Sequence, residues 1–122
     1  MKKILIIDDE ELIRLTIEDV LINEGYTVGT ADNGEQGYQM QLKTGFDLVI
    51  TDILMPVKEG IQTIKALRLK WPQLPIIAIS GGGKIRNADY LDAARQVGAN
   101  AVLAKPFTEE DILGVVRACF QN

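Results

Sequence analysis

Three short runs in this chain, Ile4-Leu5-Ile6-Ile7, Leu48-Val49-Ile50 and Ile76-Ile77-Ala78-Ile79, are apolar at every position. A strand with one face in water alternates apolar and polar residues. Continuous runs bounded by turn residues therefore predict strands covered on both faces, as in a parallel sheet between helices. Two further runs flank them. Tyr26-Thr27-Val28-Gly29-Thr30 is mixed and broken by glycine, which suits a sheet edge, and Ala101-Val102-Leu103-Ala104 reads as a fifth strand at the other edge.

Amphipathic stretches separate the runs, so the chain alternates strand and helix from end to end and predicts a five-stranded α/β domain. Ile13, Ile17, Val20 and Leu21 recur at helical spacing and stop at Gly25; Ile61, Ile64, Leu67 and Trp71 do the same and stop before Pro72. Tyr90, Leu91, Ala94 and Val97 form another stripe ending at Gly98. Thr108 caps a last helix whose buried face is Ile112, Leu113, Val116 and Phe120. The helix from Asn33 to about Thr44 has a cap in Asn33 with Gln36, yet carries Gly37, which costs about 1 kcal/mol relative to alanine inside a helix.

The 122 residues suit one domain, 1–122, with a single site, and leave no stretch over for an output domain. No apolar run approaches the roughly 20 residues of a membrane span. Acids at Asp8-Asp9-Glu10-Glu11 cut short the signal-like start, so no secretory leader is expected. The net charge of −4 and the lack of a basic cluster argue against direct nucleic-acid binding. One cysteine, Cys119, allows no internal disulfide and reads as a packed thiol, consistent with the reducing cytoplasm. With no histidine, the usual zinc ligand and the usual general base are absent, and any metal is expected to be held by oxygen.

Parallel strands all end on the same side, and ligands of open α/β sheets bind outside those carboxyl ends. Asp8 and Asp9 follow the first strand, Asp52 the third, Ser80 the fourth and Lys105 the fifth, so all five converge on one rim. Carboxylates crowded there repel one another unless a cation joins them. Hard oxygen ligands without His or Cys select Mg²⁺, with Mn²⁺ as the alternative. A carboxylate nucleophile, a divalent ion, an ammonium and a hydroxyl are the parts needed to move a phosphoryl group onto an aspartate.

In this combination the sequence resembles the receiver domain of two-component response regulators, the family that includes the bacterial chemotaxis regulator. The markers are Asp8-Asp9, Asp52-Ile53-Leu54-Met55-Pro56 with Gly60 beyond it, Ser80-Gly81 and Lys105-Pro106-Phe107. The resemblance implies a flavodoxin-like receiver fold: a doubly wound parallel sheet of five βα units, strand order 2-1-3-4-5. It also implies that Asp52 is the phosphoacceptor, Asp9 a direct Mg²⁺ ligand, Asp8 a ligand mainly through water, and the Leu54 carbonyl a further ligand. Ser80 and Gly81 would bind the phosphoryl group with Lys105, and the Lys105-Pro106 peptide would be cis. The donor would be a sensor histidine kinase or a histidine phosphotransfer protein. The recipient would be a downstream protein or a C-terminal output domain, with the chain itself a monomer or weak dimer and not an enzyme in its own right.

One position departs from the family. Three residues before the lysine, where receivers usually carry Tyr or Phe, stands Val102, which has no ring to swing inward behind Ser80. The expectation is that phosphorylation survives while the ordinary aromatic coupling does not, and that the glycine-rich loop Gly81-Gly82-Gly83 with the start of the fourth helix carries the response. Three rivals remain. A haloacid-dehalogenase-like aspartyl phosphatase would need an acid where Leu54 stands. A flavodoxin-like cofactor binder would need a phosphate cradle where four acids stand, and a pseudo-receiver that only docks would have no use for the full set.

Overall fold

The computed structural model describes residues 2–53, 57–80 and 87–121, with the side chains of 57–59 and 87–91 outside the described set. Strand and helix alternate throughout: β1 Lys3–Ile7, α1 Glu11–Asn23, β2 Thr27–Ala31, α2 Gly34–Thr44, β3 Leu48–Asp52, α3 Val57–Lys70, β4 Ile76–Ser80, α4 Asn87–Gln96, β5 Ala101–Ala104 and α5 Glu109–Gln121. The five strands form one parallel sheet in the order β2-β1-β3-β4-β5, as expected.

The continuous apolar runs serve two cores at once. Within β1, Leu5 and Ile7 face a cluster with Val49, Ile64, Leu67 and Ala94, beneath α2, α3 and α4. Ile4 and Ile6 face the other side, with Ile17, Leu21, Ile112 and Val116 of α1 and α5. Successive side chains of a strand point to opposite faces, so a strand buried on both cannot spare a polar position. The edge strands are less covered: β2 holds Thr27 exposed and three half-buried residues, and β5 is half-buried up to the exposed Ala104.

Helix ends fall where the sequence places them. Gly25 and Gly98 follow α1 and α4 with φ of 102° and 123°, and Gly45 (φ 76°) closes α2. Asn33 accepts a hydrogen bond from the Gln36 N–H while Gln36 Oε1 accepts from the Asp32 N–H. Thr108 and Asp111 exchange side-chain to backbone bonds at the start of α5. Gly37 has a packing reason to be glycine: a Cβ there would lie 2.3 Å from Ile7 Cδ1, so its absence lets α2 press onto β1. Of the stripe expected on α4, Ala94 is buried and Val97 packs against the same core, whereas the side chains of Tyr90 and Leu91 lie outside the described residues.

The end of the sheet away from the carboxyl rim is locked by Arg68. Its guanidinium donates to the carbonyls of Gly98, Trp71 and Pro72 and to Asn100 Oδ1, and that Asn100 oxygen also accepts from the Ile76 N–H. One planar fork thus ties the end of α3 to the turn entering β5, and burial lowers its pKa below the usual arginine range. Arg68→Met, which keeps the apolar stem, is expected to lower unfolding free energy by about 2–3 kcal/mol. Urea denaturation would show this as a lower midpoint at an unchanged slope.

Candidate functional site

The carboxyl ends of β1, β3, β4 and β5 assemble a buried polar site from residues far apart in sequence. Asp52 and Ser80 are the last residues of β3 and β4, and Asp8 directly follows β1; these three are 2%, 0% and 0% exposed. The ladder extends past the strand ends to fix them: Asp8 N–H donates to Ala31 O, Ile53 N–H to Ile79 O and Lys105 N–H to Ser80 O. Arg14 from α1 reaches back to the Asp8 carbonyl at 2.8 Å. Beneath Asp52, Gly60 of α3 lies so close that a Cβ would sit 2.5 Å from Ile53 Cα and 2.8 Å from Asp52 O. Any side chain at position 60 would displace the segment that carries the carboxylate.

Lys105 is the hub of the electrostatics. Its ammonium lies 3.3 Å from Asp52 Oδ2, 3.5 Å from Asp8 Oδ2 and 3.1 Å from Glu10 Oε1. Burial pulls the Lys105 pKa down, but Asp52, Asp8 and Glu10 together outweigh it and the net shift is upward, so the ammonium stays charged. The Lys105–Pro106 peptide is cis.

Asp8 carries the main electrostatic cost. Oδ1 accepts from the Glu10 N–H at 2.9 Å, while the buried Oδ2 has no hydrogen-bond partner among the described residues. Its pKa is pushed up to about 6, first by burial and then by the Asp52 and Glu10 charges, against the Glu10 N–H and Lys105, which lower it. One ammonium facing several carboxylates leaves negative charge to be neutralised. Asp8, Glu10 and Asp52 each bring an oxygen to within 4.8 Å of the others. The buried hard oxygens of Asp8 and Asp52, with Oδ2 unsatisfied, fit Mg²⁺.

Asp8, Asp9, Asp52, Ser80 and Lys105 all come at the carboxyl ends of their strands, with Asp8, Asp52 and Ser80 buried there. Asp9 is solvent-exposed and is not part of the carboxylate group that closes on itself. Glu10 also lies beside Asp8 and Asp52, although the sequence shows it only as one acid of a repulsive run. The missed signal was spacing, because a strand leading into a helix turns the chain so that every second residue can face the rim. Leu54 and Gly81, expected as metal and phosphoryl contacts, lie outside the described residues. Val102 is partly buried against the core beneath α3 and α4, paired in register with Ala78.

A doubly wound parallel sheet with an acid-rich, lysine-bearing carboxyl edge defines a class of phosphoryl-handling α/β modules. Comparison with known proteins narrows the class: the chain matches the response regulator receiver domain over residues 4–117, and it belongs to that family. It is 35% identical over its whole length to the transcriptional regulatory protein CpxR of Escherichia coli, covering 50% of that protein. It is 32% identical over 98% of its length to the uncharacterized transcriptional regulatory protein YkoG of Bacillus subtilis, covering 51% of it. The chain thus spans about half the length of the curated relatives it matches. Among solved structures it superposes on a receiver domain protein of Clostridium thermocellum with TM-score 0.89 at 28% identity, covering 99% of this chain and 95% of that one. The chemotaxis response regulator CheY4 of Vibrio cholerae gives 0.86 at 30% identity, with 98% of both chains covered. The chain is therefore a receiver domain of two-component signalling, a phosphoacceptor module and not a conventional enzyme, and the phosphatase and docking-only readings are not favoured. No helix among the described residues is long and apolar enough to cross a membrane.

The Asp8 carboxyl gives a pH test on the metal-free protein. A carboxyl whose folded pKa exceeds its unfolded value binds protons more tightly when folded, so its cost is absent at low pH and grows as pH rises through about 6. Asp8→Asn is expected to raise metal-free stability at pH 7 by on the order of 1–3 kcal/mol. The gain should fade toward pH 4, as read by denaturant midpoints across the range.

Proposed function

We propose that Asp52 accepts a phosphoryl group from a phosphohistidine donor, in a reaction that needs Mg²⁺, and that the aspartyl phosphate switches an output interaction. The observation that carries this reading is the convergence of Asp52, Asp8 and the Lys105 ammonium within 3.5 Å in a buried rim, with Asp8 Oδ2 left without a hydrogen bond. A carboxylate oxygen of Asp52 attacks phosphorus, a P–O bond forms as the P–N bond of the donor breaks, and the departing imidazole keeps the electron pair and takes a proton from water. Lys105 holds a phosphoryl oxygen and Ser80 donates its hydroxyl to another. Asp8, Asp9, Asp52 and the Leu54 carbonyl would hold Mg²⁺, which when bound supplies charge neutralisation for the incoming group. The domain in this way assists its own phosphorylation and dephosphorylation.

The donor is a sensor histidine kinase or phosphotransfer protein. The listener is a downstream protein or an output domain joined to this one, as the greater length of the relatives supports. Incubation with acetyl phosphate and Mg²⁺ is expected to add one phosphoryl group by intact mass, with none on Asp52→Asn and none after chelation. Labelling of Asp52→Asn to the same extent would place the acceptor elsewhere.

Val102 leaves the chain without the aromatic side chain that usually reports to the face of α4, β5 and α5. Val102→Tyr is expected to accept phosphate to the same extent while enlarging the amide shift changes on that face when beryllofluoride is added, as followed by NMR. Loss of labelling in this variant would show that acceptance and relay are not separable at this position.

A further inference from the structure

We infer that Glu10 is a placeholder for the phosphoryl group: in the resting domain its carboxylate occupies the Lys105 donor that an incoming phosphoryl oxygen must claim, and so sets how readily the site accepts an anion. The inference rests on the reading of Asp52 as phosphoacceptor and adds a positioning residue to it.

Lys105 donates to Glu10 Oε1 and Asp52 Oδ2 and holds Asp8 Oδ2 at ion-pair distance, 3.5 Å, so three carboxylates crowd one ammonium. The three are not equivalent. Asp8 and Asp52 are buried, with side-chain exposures of 0% and 3%, and are held by the strands that carry them. Glu10 makes the shortest of the three contacts, 3.1 Å, yet its side chain is 62% exposed. Releasing a buried carboxylate from a counterion is costly, whereas an exposed one exchanges the ammonium for water at little cost. When a further anion arrives, Glu10 is the partner that can leave.

The backbone permits this movement without disturbing the helix. Glu10 stands at the N-cap position of α1 with extended geometry, but its side chain makes no capping hydrogen bond, so among the described residues swinging away breaks only the contact to Lys105. Its N–H meanwhile keeps its bond to Asp8 Oδ1, which anchors the main chain as the side chain moves. The same absence of a cap bond means that substitution at position 10 leaves the start of α1 intact.

The test measures anion and metal affinity separately in wild type, Glu10→Gln, Glu10→Asp and, as a charge control, the exposed Glu11→Gln. Beryllofluoride, a phosphoryl mimic, is titrated with saturating Mg²⁺ and followed by ¹⁹F NMR; Mg²⁺ is titrated alone; labelling by acetyl phosphate gives the rate. The placeholder predicts that Glu10→Gln binds beryllofluoride about 3- to 10-fold more tightly and is labelled faster by a similar factor, with Mg²⁺ affinity within about threefold of wild type, or ~0.7 kcal/mol. Glu10→Asp keeps the charge one methylene short of the lysine and should behave like Glu10→Gln, while Glu11→Gln behaves like wild type. Unchanged or weaker anion binding in Glu10→Gln overturns the inference, as does an equal gain in Glu11→Gln, which would mean diffuse charge. A tenfold loss of Mg²⁺ affinity would also overturn it, making Glu10 a metal ligand. If wild type itself takes no label on Asp52, the underlying functional reading fails instead, and that result is distinct from all of these.

Discussion

Among the described residues, the carboxyl edge of the sheet concentrates more acid than the Lys105 ammonium can neutralise, and the rest of the molecule is arranged to hold that imbalance in place. Lys105 reaches Asp8, Asp52 and Glu10 within 3.5 Å, yet Asp8 Oδ2 still lacks a hydrogen bond and its carboxyl is pushed up to about 6. A buried carboxylate in this condition is unfavourable for folding and favourable for capturing positive charge. Stability withheld at the rim must be supplied by two apolar layers and by the Arg68 lock at the opposite end.

This division explains the helix positions. Gly37 and Gly60 bring α2 and α3 against β1 and β3 at distances no Cβ would permit. Close seating at Gly60 fixes the backbone of Asp52, while at Gly37 it seals Ile7, the residue before Asp8. A glycine that weakens a helix in isolation is thus favoured where the helix must approach the strand that presents a reacting group.

The fold was largely legible because doubly covered strands must be apolar throughout, a pattern few other structures share, and Ile4-Leu5-Ile6-Ile7 shows it plainly. The capping residues and the glycines at helix ends could be read for the same local reason. What the sequence did not disclose depends on distances between elements: that Glu10 joins Asp8 and Asp52 at Lys105, that Gln41 is buried and bonded to both backbone groups of Phe46, and that Arg68 ties α3 to the turn before β5. An exposed acid and an ion-paired acid look alike in one dimension. Only packing separates them.

The counterion of the site comes late in the chain. Glu10 and Lys105 meet across a sequence separation of 95 residues, and Asp52 and Lys105 across 53. During synthesis from the N-terminus, β1 and β3 emerge with their acids well before β5 can deliver the lysine. The acids of the rim therefore meet their Lys105 counterion only once the last strand has docked, and a site with this balance of charge exists only in the complete sheet.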